Sequence, residues 1–99
     1  NSFANPNAQG TEVCVFPGSH VGRELGGCIQ RQIVDSLGTV DRGLKDRDGL
    51  YVLRATDMPA VLVETAFISN GEDAAKLRDQ ADEFARAIAR GVTDYICSL

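Results

Sequence analysis

An α/β fold, with helices flanking part of a mixed and mostly parallel sheet, is predicted by three features of this chain. Short apolar and β-branched runs at Glu12–Phe16, Leu50–Arg54 and Pro59–Thr65 have the length of strands. Two longer stretches, near 19–38 and 80–97, repeat apolar residues at helical spacing. The two kinds follow one another in the order β-α-β-β-α, as in a layered α/β domain.

Residues 1–10 (NSFANPNAQG) are rich in Asn, Pro, Gly and Ala and read as a loop. In the first strand Val13 and Val15 face one side and Cys14 and Phe16 the other, until Pro17-Gly18 stops it. Ser19 is a natural helix N-cap. Val21, Leu25, Cys28, Ile29, Ile33 and Leu37 then form one apolar stripe, and Gly38 is suited to the C′ position. Glycines 22, 26 and 27 each weaken the helix by about 1 kcal/mol relative to alanine, a cost offset if they let it approach a sheet closely. Val40–Gly49 reads as a charged loop, followed by strands at Leu50–Arg54 and Pro59–Thr65. The Ala60-Val61-Leu62-Val63 run is apolar throughout and predicts a strand buried on both faces. Phe67–Gly71 leaves the sheet, and Glu72–Arg78 forms a short helical segment. The last helix presents Ala81, Phe84, Ala85, Ile88, Val92, Tyr95 and Ile96 on its apolar face. Three strands and two long helices cover a two-sided sheet poorly, so the chain reads as part of an incomplete sheet.

Composition narrows the function. The chain has 99 residues, 43% apolar and 24% charged, which suits one small globular domain or a portion of one. Its net charge is −4, and no basic stripe interleaved with aromatics is present, which argues against nucleic acid as a partner. No apolar run approaches the roughly 20 residues of a membrane span. No signal peptide is visible, and the start at Asn1 rather than Met reads as a processed end or a cut in a longer chain. Cys14, Cys28 and Cys97 lack CxxC spacing, so a thiolate zinc site is not expected. All three fall on presumed core faces, and no histidine is placed to activate a thiol nucleophile.

Glu64 is the principal candidate residue. It ends the apolar run of 60–63, where open α/β sheets place ligands outside the strand ends. A carboxylate there needs water, a cation or hydrogen-bond donors. Arg54, at the end of the preceding predicted strand, is a candidate for substrate contact or for a structural ion pair. Asp41 and Arg42 either shape a cleft loop or belong to a turn closed by Gly43. Glu12 is expected to be structural, and His20, the only histidine, to be a solvated residue beside the N-cap.

Gly10-Thr11-Glu12-Val13, Pro17-Gly18-Ser19, Asp41-Arg42-Gly43-Leu44-Lys45, Tyr51-Val52-Leu53-Arg54 and the segment from Met58 to Asn70 (MPAVLVETAFISN) occur in that order. Together they resemble the C-terminal part of zinc-dependent N-acetylmuramoyl-L-alanine amidases, the bacterial cell-wall hydrolases and phage endolysins. The resemblance covers nearly all of residues 1–99, as the C-terminal portion of one catalytic domain with no second domain. It implies a peptidoglycan or muropeptide substrate, cut between N-acetylmuramic acid and L-alanine of the stem peptide. It also implies action at the cell envelope, in the periplasm or outside the cell, or in phage lysis. One zinc ion held by two histidines and a glutamate is implied, with Glu64 as the general base for its water.

The second of those histidines belongs to an S-x-H-x-N segment, and two registers are open. Either Phe3 stands in its place and Asn5 is the motif's Asn, or Asn1 is that Asn and the histidine precedes the chain by two residues. The loop length from Ser2 to Gln9 favours the second. The zinc ligands are then expected upstream, leaving no metal ligand in this chain and residues 1–99 alone inactive. The alternative function is a non-catalytic amidase-like module that binds cell wall or a partner.

Overall fold

The computed structural model describes all of residues 1–99. It has the element order β1 (Thr11–Val15), α1 (His20–Leu37), β2 (Asp41–Asp46), α2 (Tyr51–Arg54), β3 (Val61–Glu64), α3 (Gly71–Asp79) and α4 (Ala81–Cys97). The sheet is mixed, in the order β2-β1-β3. β1 lies in the centre, parallel to β2 and antiparallel to β3. The expected α/β class and mixed sheet are therefore present.

Two elements differ from the sequence reading. Asp41–Asp46, expected as loop, is the strand β2. It is a half-exposed edge strand, and edge strands carry charges that discourage further pairing, so its composition mimics a loop. Leu50–Arg54, expected as a strand, contains the single-turn helix α2 and buries only Leu53. Tyr51 and Val52, the residues that suggested a strand, lie in solvent, where β propensity has no sheet to act on.

β1 is buried throughout because it has a neighbour on each edge and α1 over one face. Val13 and Val15 point at α1 and join Ile29, Ile33 and Leu37 in the core. Gly26 is the glycine that permits the approach, since a Cβ there would come 3.1 Å from Val13 Cγ1. Gly27 faces open space and has no such role. The ends of α1 are as expected: Ser19 Oγ accepts from the Gly22 amide at 3.0 Å, and Gly38 takes the left-handed conformation at φ 67°.

α4 packs on α1, but its buried face is rotated from the expected stripe. Phe84, Ala87 and Gly91 are buried, while Ala85, Val92 and Ile96 are exposed. Small residues let two helix backbones meet, which a hydrophobicity stripe does not register. The cysteines also separate: Cys14 is buried, Cys28 half-buried and Cys97 exposed.

β3 is not buried on both faces; all four of its residues are half-exposed. It is an edge strand here, and only Val61 and Val63 pack onto the core. By the two-residue period, Leu62 and Glu64 face the opposite side from α1.

Candidate active site

The antiparallel register places Glu64 directly across from Glu12. Both therefore project from the face away from α1, with Cys14 one period along β1. One oxygen or sulfur from each of Glu12, Cys14 and Glu64 lies within 4.8 Å of the others. Cys14 Sγ donates to Glu64 Oε2 at 3.8 Å, and Asn1 Nδ2 reaches the same oxygen at 3.4 Å.

Glu12 is buried at 3% exposure, and two arginines hold it. Arg42 Nε donates to its Oε1 at 2.8 Å, and Arg47 Nη2 lies 3.6 Å from its Oε2. Arg42 is itself stacked over Phe67, 4.9 Å from the ring centroid. Its position follows from an irregularity in β2. Thr11 pairs with Asp41 but Val13 with Leu44, so β2 carries one extra residue, with Gly43 at φ 75°. This bulge re-aims the side chain beside it. The Asp41-Arg42-Gly43 sequence thus belongs to a bulged strand rather than to a turn in a loop.

The loop after Glu64 is tied down by polar side chains. Asp73, 1% exposed, accepts from the amides of Gly10 at 2.7 Å and Phe67 at 2.8 Å. Asn70 caps α3 through the Asp73 amide and donates to the Pro6 carbonyl at 2.9 Å. Thr11 Oγ1 donates to the Thr65 carbonyl at 2.8 Å. Asn1 also accepts from the Ile68 amide at 2.7 Å. The Phe67–Asn70 part of the motif is a clamp between the exit of β3 and the entry of β1.

The two carboxyls are driven apart in acidity. Burial raises Glu64, and the hydrogen bond and negative charge of Glu12 raise it further, against the pull of Arg47 and the Asn1 amino group. Burial also acts to raise Glu12, but hydrogen bonds to Arg42 and Glu64 and the charges of Arg42 and Lys45 outweigh it and leave Glu12 below its ordinary value. Burial, then the charge on Glu64, pushes the Cys14 thiol up. A pair split in this way keeps one carboxylate ionised and readies the other to exchange a proton.

These groups do not form a zinc ligand set. Both oxygens of Glu12 face arginines, which leaves them committed to cations already, and no histidine stands in the group. His20 is exposed, and its Nε2 lies 2.8 Å from Glu24 on the helix surface. Arg54 lies elsewhere. It lines a cleft of about 390 Å³ with Phe16, Ser19, Met58 and Ala60, at the end of β3 opposite to Glu64.

Residues 1–94 match the family model described as N-acetylmuramoyl-L-alanine amidase. The chain belongs to this family. It is 38% identical over 97 residues to the amidase LytC of Bacillus subtilis (strain 168), covering 96% of this chain and 19% of LytC. Its fold matches the CwlD amidase of Clostridioides difficile, solved in complex with the GerS lipoprotein, at a TM-score of 0.92 with 28% identity. That match covers 100% of this chain and 52% of CwlD. An N-acetylmuramoyl-L-alanine amidase from Clostridium difficile 630 matches at 0.87 with 30% identity, over 99% of this chain and 54% of the other. The chain thus spans about half of these solved amidase chains and about a fifth of LytC.

Proposed function

We propose that residues 1–99 are the C-terminal part of the catalytic domain of a peptidoglycan amidase, with Glu64 as its general base. The observation that carries this reading is the carboxyl of Glu64. It stands at the exit of β3 with its proton affinity raised, inside the motif shared with the amidase family. Glu64 takes a proton from the water that adds to the carbonyl carbon of the lactyl–L-alanine amide. It then returns that proton to the amine as the C–N bond breaks. A base with raised proton affinity serves both steps, because its acid form is still populated when the amine must leave.

The cofactor is proposed to be one zinc ion, which when bound polarises the carbonyl and acidifies the water. Its ligands are proposed to come from the part of the domain outside residues 1–99, since no set of side chains here fits it. A relative named as a cell wall amidase from Bacillus anthracis, 38% identical over 105 residues, and the endolysin of Bacillus phage SPP1, 42% identical over 66 residues, support action at or beyond the cell envelope. No helix is long and apolar enough to cross a membrane.

The test uses the complete amidase polypeptide and purified peptidoglycan, with release of new L-alanine amino termini as the readout. Glu64→Gln should retain one zinc per chain by elemental analysis and lose nearly all turnover. Turnover at the normal rate removes Glu64 from the mechanism.

A further inference from the structure

We propose that Glu12 is the positioning residue of Glu64, a buried carboxylate held ionised by two arginines that accepts the hydrogen bond of protonated Glu64 and presents its acid form to the leaving amine. The inference rests on the reading of Glu64 as the base and deepens it by assigning its partner. Three observations carry it. The register sets the two residues face to face in adjacent strands, so their closeness is imposed by the sheet and not by side-chain choice. Glu12 is almost fully buried, where an unpaired carboxylate is costly, yet it is met from β2 by Arg42 and, just beyond that strand, by Arg47. The bulge at Gly43 and the stacking of Arg42 on Phe67 fix the guanidinium that does this.

Two carboxylates this close do not both ionise readily. The arginines decide which one does. Arg42 meets Glu12 through a 2.8 Å hydrogen bond, while the donors on Glu64, the Asn1 amide and the Cys14 thiol, are neutral. The charged and titratable groups facing the pair are Cys14 on β1, Arg42 and Lys45 on β2, Arg47 after it, and the Asn1 amino group. When the pair carries one proton, that proton therefore resides on Glu64, and in the form that meets the water both carboxylates are ionised. During hydrolysis the water's hydroxyl adds to the carbonyl carbon and its proton passes to Glu64, which hydrogen-bonds to Glu12. The proton then moves to the amine nitrogen as the C–N bond breaks, and Glu12 remains a carboxylate throughout.

The test is a carbon-13 NMR titration of the glutamate side chains in the complete amidase polypeptide, which needs no turnover. In wild type, Glu12 should ionise first and Glu64 last. Glu12→Gln should lower the Glu64 midpoint by about one pH unit or more, a tenfold change in its acidity. Freed arginines could lower it too, so Glu12→Gln combined with Arg42→Gln restores the charge balance and should still show the fall. Arg42→Gln alone should bring the two midpoints together, and it serves if the Glu12 variants do not fold. In the complete amidase, the acidic limb of the pH–rate profile should move to lower pH in Glu12→Gln, and Glu12→Asp should partly restore it. A Glu64 midpoint indifferent to the Glu12 substitutions, or Glu64 ionising before Glu12, overturns the inference. Normal turnover by Glu64→Gln would instead sink the general-base reading and leave these titrations intact.

Discussion

Two glycines in long helices should respond in opposite directions to the same substitution. Gly27 in α1 and Gly91 in α4 both have ordinary helical backbones, and on helix propensity alone alanine is better by about 1 kcal/mol at either. A Cβ at Gly27 meets nothing within 4 Å. A Cβ at Gly91 would come 2.5 Å from Ile29 Cα and 2.8 Å from Ile29 N. Carbon atoms rest at about 3.5–4.0 Å, so α1 and α4 would have to part by about 1 Å. The obstacle is backbone, which cannot turn aside as a side chain can. Separation would loosen Phe84 and Ala87 from Ile29 and Ile33 in the core. Overpacking of this kind costs about 1–3 kcal/mol, and with no flexible atom to yield, the upper end applies. The net expectation is a loss of about 2 kcal/mol for Gly91→Ala after the helix gain, and a gain of about 1 kcal/mol for Gly27→Ala. At about 4–8 °C per kcal/mol for a domain of this size, Tm falls by about 8–16 °C in the first and rises by about 4–8 °C in the second. Thermal unfolding by circular dichroism, with urea titration as a check, measures both. A rise in Tm for both variants would show that α1 and α4 do not meet at Gly91, and would refute the packing described.

Other perturbations test the site. Glu64 has a raised folded-state pKa, so the stability it contributes is present below the ordinary carboxylate range and lost as pH rises through its own value. Glu64→Gln should therefore match wild type in acid and become the more stable protein at neutral pH, read from urea midpoints across the range; a less stable variant at neutral pH removes the strained pair. Asp73→Ala leaves the Gly10 and Phe67 amides without their acceptor and should cost about 3 kcal/mol in the same assay. A loss below about 0.5 kcal/mol would mean that other partners satisfy those amides. Gly43→Ala puts a side chain at φ 75° and should cost about 1–2 kcal/mol. It should also move the Glu12 midpoint up in the NMR titration, as Arg42 loses its aim; an unchanged midpoint separates the bulge from the placing of Arg42.

Elements whose signal is local were legible in the chain. Helix α1 could be bounded by Ser19 and Gly38 because capping depends on neighbouring residues. The strand at Val61–Glu64 and the helices after it follow from periodicity and from the end of the apolar run. β2 was hidden because a charged edge strand makes the same composition as a loop, and α2 because one helical turn is too short to show a period. The buried face of α4 is hidden in the sequence for a related reason. Ala87 and Gly91 contribute closeness rather than hydrophobicity, and only the presence of α1 gives closeness a value.

By itself the sequence determined that an α/β sheet ends one strand with Glu64, and its ordered motifs pointed to the amidase family. Both are properties of residues near one another along the chain or in a recognisable order. Only the tertiary structure decided what stands beside Glu64. The antiparallel register of β1 and β3 selects Glu12, and one extra residue in β2 selects Arg42 as its anchor. Register shifted by a single residue would turn either carboxylate to the other face, and no local pattern encodes that choice.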